Sequence, residues 1–300
     1  MNKIDQLLRG AVDMHCHSGP GIFKRLLDHA EAAKEAASVG MSGLVLKDQH
    51  SMTAVAATLI NRHVLPEGSP LTVFGSLVLN NATGGITPFT VEAALKYGAR
   101  IIWMPTFSAK KHKEYHDWMA SQNIANTSPK ASIKLLPEPL LTVTDDLGRL
   151  LPQITTICEL IAEADAVLGL GHISRPEFDA VIVEAKRCGV KRILLPHPEH
   201  IHLLSIDEMK AYAAQGVVLE HSYTLVYSKK LTHDYLFEMI RGVGAESTCI
   251  GSDMGQPGRP SPVQGFREFI AAMLERGLSE EEIRQVIGGT ARRFLGMDDH

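Results

Sequence analysis

The chain has 300 residues, of which 45% are apolar and 21% charged, which is enough apolar material for a large buried core. Its 30 basic and 34 acidic side chains give a formal charge of −4 without a block of like charge, which argues against a nucleic-acid groove or a polybasic membrane surface. No stretch reaches the ~18 apolar residues of a membrane span, and residues 1–10 mix charges with apolar residues, so we expect neither a membrane anchor nor a signal peptide. The four cysteines lack CxxC spacing, which favours a reducing compartment, and we expect a cytoplasmic protein.

Short, continuously apolar runs recur along the chain, and each is followed by an amphipathic stretch. Such runs are typical of parallel strands that helices cover on both faces. We predict strands at Val12–His17, Gly43–His50, Thr72–Asn80, Arg100–Thr106, Ala166–Ser174, Arg192–Pro198, Gly216–Ser222 and Ser247–Met254. We predict helices at Arg25–Val39, Met52–His63, Thr90–Tyr97, Leu147–Ala164, Glu177–Cys188, Ile206–Ala214, Leu231–Val243 and Pro262–Arg276, and a last one from a capping box at Ser279 and Glu282 to near Phe294.

The spacing of these strands predicts the fold. Roughly 25 to 31 residues separate most strand starts, the size of a βα unit, and eight such units make a (β/α)8 TIM barrel. We therefore expect one domain over residues 1–300, with an inserted loop after strand four at about 107–145 that serves as a lid, an oligomer contact or a plain solvated loop. An open doubly wound sheet is the alternative, but no glycine-rich phosphate loop follows strand one.

Side chains of the types that bind metals end several predicted strands. His15 and His17 close strand one, and residues i and i+2 of a strand point to the same side. His172, His197 and Asp253 end strands five, six and eight, at the same height of a barrel. Four imidazoles and a carboxylate meeting at one end of parallel strands predict a site for a divalent metal. Zinc is favoured, and manganese, iron, cobalt or nickel also suit these ligands.

This pattern resembles the amidohydrolase superfamily of metal-dependent hydrolases, which carry His-x-His on strand one, His on strands five and six, and Asp on strand eight of a (β/α)8 barrel. The run GTARRFLG at 289–296 is similar to the closing helix of that family. The resemblance implies that His15, His17 and Asp253 bind the more buried metal, while His172 and His197 bind a second, more exposed one. It also implies that Asp253 handles the proton of the attacking water.

Lys47 is where the sequence departs from the family. Many members carry a carboxylated lysine or a glutamate on strand four that bridges two metals, but strand four here ends at Met104, Pro105 and Thr106. Lys47, at the mouth of strand two, is the candidate replacement as a metal-bridging carbamate. The alternatives are an ammonium that binds a substrate carboxylate or polarises a carbonyl, and a salt bridge to Asp48 or a neighbouring acid. Whether the site holds one ion or two depends on this residue.

Other polar residues near strand ends are weaker candidates. We predict that His221, at the end of strand seven, acts on the substrate or supports the site. The predicted substrate-binding residues are His50, His200, Asn80, Thr106 and Arg175. Cys16, between the two histidines, is expected to point away from them into the layer between barrel and helices. The histidines expected at the surface are His29, His63, His112, His116, His202, His233 and His300.

A divalent metal with these ligands lowers the pKa of bound water from ~16 towards ~7 and polarises a scissile carbonyl. We therefore expect hydrolysis of an amide-like C–N bond, such as that of a cyclic amide or imide, in a small molecule. Lactone or ester hydrolysis and non-oxidative decarboxylation remain alternatives, as does a metal-binding scaffold without activity. Phosphoesterase chemistry is disfavoured because no run of basic residues marks a phosphate pocket. We expect no nucleic-acid or membrane partner, and a homo-oligomer stays open.

Overall fold

A computed structural model describes residues 2–124 and 136–298 of the chain. Eight parallel strands form one sheet, and their order in the sheet is their order in the sequence. The strands are β1 Val12–Cys16, β2 Gly43–Leu46, β3 Thr72–Val78, β4 Ala99–Trp103, β5 Val167–Gly169, β6 Arg192–Pro196, β7 Val217–Ser222 and β8 Thr248–Gly251. The sheet closes where the amide of Asp253 donates to the carbonyl of His15 at 2.7 Å, and that of His17 to Met254 at 2.8 Å. The predicted (β/α)8 barrel is confirmed.

Helices follow the strands around the barrel. They are α1 Lys3–Leu8, α2 His29–Ser38, α3 Ala54–His63, α4 Pro88–Lys96, α5 Lys110–Ser121, α6 Pro152–Glu163, α7 Arg175–Arg187, α8 Ile206–Ala213, α9 Thr224–Tyr227, α10 His233–Val243, α11 Pro262–Glu275, α12 Glu280–Arg284 and α13 Thr290–Phe294. Helix α2 begins four residues later than predicted because Asp28 and Glu31 form a capping box at its start. The capping box predicted at Ser279 and Glu282 is present before α12. None of the described helices is both long and apolar enough to cross a membrane.

Two apolar layers hold the barrel together. The smaller fills the interior with one or two side chains from each strand, including Met14, Val45, Trp103 and Val218, and α13 closes it with Phe294. The larger lies between the strands and the surrounding helices, and Cys16 belongs to it, as predicted. Successive side chains of a strand alternate between these layers, so every second residue of a strand faces the interior.

The segment predicted as an insertion contains a helix that the sequence analysis did not predict. Helix α5 follows β4, and the amide of Lys110 donates to the carbonyl of Leu141 at 2.9 Å. The predicted extended run Ile133–Val143 lies partly outside the described residues. Its described part forms an isolated bridge between Ala109 and Leu141 rather than a strand. Since α5 leaves from the carboxyl end of β4, it lies at the face of the barrel where substrates bind.

Candidate metal centre

His15, His17 and Asp253 meet at the carboxyl end of the barrel. The Nε2 atoms of the two histidines are 3.2 Å apart, and Oδ1 of Asp253 lies 3.1 Å from Nε2 of His17 and 3.6 Å from Nε2 of His15. These three residues have ligand atoms all within 4.8 Å of one another, close enough to bind one ion. Both imidazoles are almost completely buried, whereas the Asp253 side chain keeps 19% of its surface exposed.

The other nitrogen of each imidazole has an acceptor. Nδ1 of His15 donates to the carboxylate of Glu220, whose oxygens lie at 3.0 and 3.2 Å, and Nδ1 of His17 donates to the carbonyl of Lys47 at 2.8 Å. These acceptors keep the ring proton on Nδ1 and leave the lone pair of Nε2 facing the cavity. Acceptors of this kind fix the tautomer and orientation of metal-binding histidines.

A second pair of imidazoles, His172 and His197, lies beside the first group. Their Nε2 atoms are 3.1 Å apart, and the rings of His15 and His197 have centroids 6.1 Å apart. Nδ1 of His197 is buried without a hydrogen-bond partner among the described residues. Nδ1 of His172 is 2.8 Å from Nδ1 of His112 on α5, and these two rings stack. The surface position predicted for His112 is therefore wrong, because α5 folds over the end of the barrel.

The charge states of these groups suit a divalent cation. Burial lowers the pKa of His17 to about 4 and holds the pKa values of His172 and His197 well below the ordinary range, so these rings are neutral. Burial alone would raise the pKa of Asp253, but His15 and His17 outweigh it and hold this pKa well below its usual range. Neutral imidazoles and an ionised carboxylate are the donors that zinc and similar ions bind, so the residues fit a metal.

The backbone turns sharply where it presents these ligands. His197 and Asp253 have φ angles of 32° and 49°, a region that non-glycine residues rarely occupy. Gly171, just before His172, has a φ of 60°, and a Cβ there would lie 2.3 Å from the carbonyl oxygen of Met104. The chain therefore leaves the sheet before the predicted end of β5 and aims His172 inward. Strain of this kind persists at functional sites because the surrounding structure holds it in place.

Lys47 is buried next to the first group. Its Nζ lies 3.1 Å from Nε2 of His15 and 4.0 Å from the centroid of the Trp103 ring, and burial lowers its pKa to about 8. The predicted salt bridge to Asp48 is not observed among the described residues, since the Asp48 carboxylate instead lies 4.0 Å from Arg25. The bridging carbamate and the substrate contact stay predictions, and so does an interaction with a neighbouring acid, since Glu220 and Asp253 both act to raise the pKa of Lys47.

A cavity of about 100 Å³ opens above these ligands. Of the predicted site residues, His15, His17, Lys47, His172, His197, His200 and Asp253 line it. The ring of His200 accepts from or donates to the Tyr115 hydroxyl at 2.9 Å, and burial lowers the pKa of His200 to about 3. His116, which was expected at the surface, also lines the cavity.

Asn80, Thr106 and His50 do not line the cavity. The Asn80 amide donates to the carbonyl of Gln49 at 3.0 Å, and the Thr106 hydroxyl donates to the Gln49 side chain. Gln49 itself lines the cavity, so Asn80 and Thr106 position it from behind. His50 packs its ring against Phe107, another lining residue. These predicted substrate contacts are thus one layer further out than expected.

His221 and Arg175 lie away from the cavity. His221 is fully buried, and its Nδ1 donates to Glu199 at 2.9 Å, because in β7 it is the preceding residue, Glu220, that points inward. Arg175 begins α7 and pairs with Glu208 on the next helix, with 47% of its side chain exposed. The structure therefore does not bring these two predicted residues to the metal ligands.

Two more histidines differ from the surface positions predicted for them. His29 is buried and lies 2.6 Å from the Ser18 hydroxyl, and His202 packs edge-on against Phe178. His63 is exposed and His233 half-buried, while His300 lies outside the described residues.

Sequence reasoning missed Glu220 and His112. Counting in steps of two from the interior residue Val218 would have placed Glu220 inside, opposite to His221. His112 and His116 are four residues apart, which on a helix places both on one face, but the sequence analysis predicts a loop for this segment.

One protein family matches the sequence over residues 10–220, a family of unknown function, DUF6282. The chain belongs to this family. The matching region includes His15, His17, His172 and His197 and ends within β7, so Asp253 lies beyond it. No curated protein matches the DUF6282 chain.

Solved structures share its architecture at low sequence identity. An amidohydrolase from Pseudomonas aeruginosa has a TM-score of 0.65 at 16% identity, with 98% of each chain covered. The probable dipeptidase PvdM from Pseudomonas aeruginosa has a TM-score of 0.57 at 14% identity, covering 98% of this chain and 96% of that one. A mutant of an organophosphorus hydrolase from Deinococcus radiodurans has a TM-score of 0.54 at 12% identity, covering 97% and 94%. The DUF6282 chain therefore shares the barrel fold of these structures.

Proposed function

We propose that this protein is a metal-dependent hydrolase that cleaves an amide-like C–N bond, such as that of a cyclic amide or imide, in a small molecule. The observation that carries the proposal is the convergence of His15, His17 and Asp253 in one cavity, with His172 and His197 beside them. Structural neighbours described as an amidohydrolase and a probable dipeptidase support C–N bond cleavage. Zinc is the metal we propose first. The free cysteines fit the reducing cytoplasm that we propose as its location.

A bound divalent ion supplies Lewis acidity, which makes water a nucleophile near neutral pH and polarises a carbonyl. The protein residues do the rest. Glu220 and the Lys47 carbonyl hold the two β1 histidines with Nε2 towards the cavity, so the ligand geometry exists before substrate enters. His172 and His197 are almost fully buried, so their rings have little contact with bulk water.

Asp253 is the residue that we assign to proton transfer. Its carboxylate is ionised and in contact with His17, and it keeps more exposed surface towards the cavity than either histidine. It can therefore accept the proton of the attacking water and pass it to the leaving nitrogen. Lys47, whose Nζ is 3.1 Å from His15, either contacts the substrate carbonyl or bridges metals as a carbamate.

The test combines metal analysis with a hydrolysis screen. Purified protein should retain a stoichiometric divalent metal and hydrolyse at least one member of a panel of N-acyl compounds, cyclic amides and imides. His17→Asn should lose both metal and turnover, while His63→Asn, at an exposed position on α3, should keep both. Turnover of lactones alone would reassign the bond, and carbon dioxide release without water addition would indicate a decarboxylase. Absence of any bound metal would refute the proposal.

A further inference from the structure

The cavity above the metal ligands is rich in positive charge. Arg25, Lys47, Lys230 and Arg259 line it, and Asp253 is the lining carboxylate among the described residues. The chain as a whole carries a formal charge of −4, so this cation excess is local. A metal ion at the site would increase it further. Cavities lined by one sign of charge attract ligands of the opposite sign.

Two of these cations, Lys230 and Arg259, lie near helix α9 but come from different parts of the chain. Lys230 lies three residues after the end of α9, and Arg259 lies in the segment that joins β8 to α11. The Arg259 guanidinium donates through Nη1 to the carbonyl oxygen and the hydroxyl of Thr224, the first residue of α9. These bonds fix the guanidinium at the cavity wall and leave Nε and Nη2 without a partner in the described part of the chain.

Neither cation has an acidic partner. The Lys230 ammonium lies 3.4 Å from Nε2 of His200, and no described carboxylate forms an ion pair with Lys230 or Arg259. On the protein surface, by contrast, Arg175 and Arg276 each pair with an acid. Lys230 and Arg259 therefore differ from these two surface arginines in having no carboxylate at ion-pair distance among the described residues.

Burial makes this arrangement unfavourable in the absence of a ligand. It lowers the pKa of Lys230 to about 8, and the neighbouring charge of Arg259 lowers it in the same direction. Burial lowers the pKa of Arg259 as well, and the charge of Asp253 acts in the opposite direction. The Asp253 carboxylate raises the pKa of both groups, but it is one charge against two partly buried cations that repel each other, and an anion that binds between them relieves that repulsion.

We propose that Lys230 and Arg259 bind an oxyanion group of the substrate, a carboxylate or a phosphate, next to the bond that is cleaved. This inference rests on the proposed function and narrows it to small anionic amides. The planar guanidinium matches two oxygens of such a group, and the ammonium adds a compact point charge. Because Lys230 and Arg259 line the same cavity as the metal ligands, the anionic group lies close to the scissile bond.

The experiment measures anion binding to the full-length, zinc-loaded protein by titration calorimetry. The probes are propionate, its uncharged analogue propionamide, and inorganic phosphate. Propionate or phosphate should bind. If propionate binds, its uncharged analogue propionamide should bind at least about tenfold more weakly. Arg259→Gln and Lys230→Met should each weaken anion binding by about tenfold or more, the loss expected for a charge-assisted hydrogen bond. Lys229→Gln is the matched control, because it removes the same charge from the adjacent, exposed position and should change nothing.

The outcomes separate the two proposals. Binding of propionate alone identifies a carboxylate subsite, and binding of phosphate alone identifies a phosphate subsite. If an anion binds to Arg259→Gln and to Lys230→Met as tightly as to wild type, it binds to the metal and the inference is wrong. It is also wrong if neither binds at millimolar concentrations while zinc content and hydrolysis are normal. A wild-type protein that binds no zinc, or that hydrolyses none of the tested compounds, would instead count against the proposed function. Arg259→Lys, which keeps the charge, serves if Arg259→Gln does not fold, and it should still weaken binding.

Discussion

Replacement of Glu220 by glutamine tests whether the carboxylate behind His15 supports metal binding. Glu220 lies on β7 with no exposed surface, and both of its oxygens are within hydrogen-bonding distance of Nδ1 of His15. It also accepts a hydrogen bond from the Ser222 hydroxyl at 3.1 Å. Glutamine has nearly the same shape but removes the negative charge that makes His15 a stronger donor to a cation.

The expected magnitude follows from these contacts. Loss of a carboxylate partner of a metal-binding histidine typically costs 10- to 100-fold in metal affinity, or about 1.4 to 2.7 kcal/mol. We expect the loss for Glu220→Gln to fall in this range, because the Glu220–His15 pair is buried away from water and glutamine keeps one acceptor oxygen. Because the buried interaction with His15 becomes weaker, the free energy of unfolding of the metal-free protein should also fall, by about 1.5–3 kcal/mol.

Glu199→Gln is the matched control. Glu199 accepts from Nδ1 of His221 at 2.9 Å in an equally buried carboxylate–imidazole pair, but His221 does not line the cavity. Competition with a fluorescent zinc chelator gives the affinity, and urea denaturation of the metal-free protein gives the stability. Both variants should lose stability, and only Glu220→Gln should lose zinc affinity. The reasoning is refuted if Glu220→Gln binds zinc like wild type, or if Glu199→Gln weakens zinc binding to the same extent.

Four further predictions follow from the site. Asp253→Asn should retain part of the metal but lower turnover by about 100-fold or more, measured as kcat on any substrate from the screen, since amide nitrogen cannot accept the proton. Lys47→Met should lower turnover and, if Lys47 is a bridging carbamate, reduce the metal content by one ion in elemental analysis. His112→Phe keeps a ring stacked on His172 but removes its Nδ1 partner, so affinity for a second ion should fall about tenfold in a zinc titration. Chelation of the metal should lower the melting temperature, because an ion at 100 times its Kd stabilises the fold by about 2.7 kcal/mol; an unchanged melting temperature would contradict a metal-bound native state.

The barrel and the residues that end its strands could be predicted from the sequence. Continuously apolar runs at regular intervals are a local signal, and they predicted all eight strands because strands buried on both faces need no partner-specific residues. The carboxyl ends of the strands were predicted less well. Strand β5 stops at Gly169 rather than at Ser174, because the left-handed turn at Gly171 takes the chain out of the sheet. His15 and His17 could be placed together because a strand has a period of two.

Which side chains meet across the barrel depends on its three-dimensional packing and could not be predicted from the sequence. His221 ends β7 at the level of the site, which is why the sequence predicts it there. Side chains of a strand alternate between its two faces, however, and on β7 it is Glu220 that points to the interior while His221 points away. The cavity cations Lys230 and Arg259 are far from each other in sequence and follow no spacing rule, so the expectation of no basic cluster came from a linear view of the chain. Contacts of this kind depend on how loops pack over the closed sheet, and that packing is a non-local property that neither composition nor periodicity encodes.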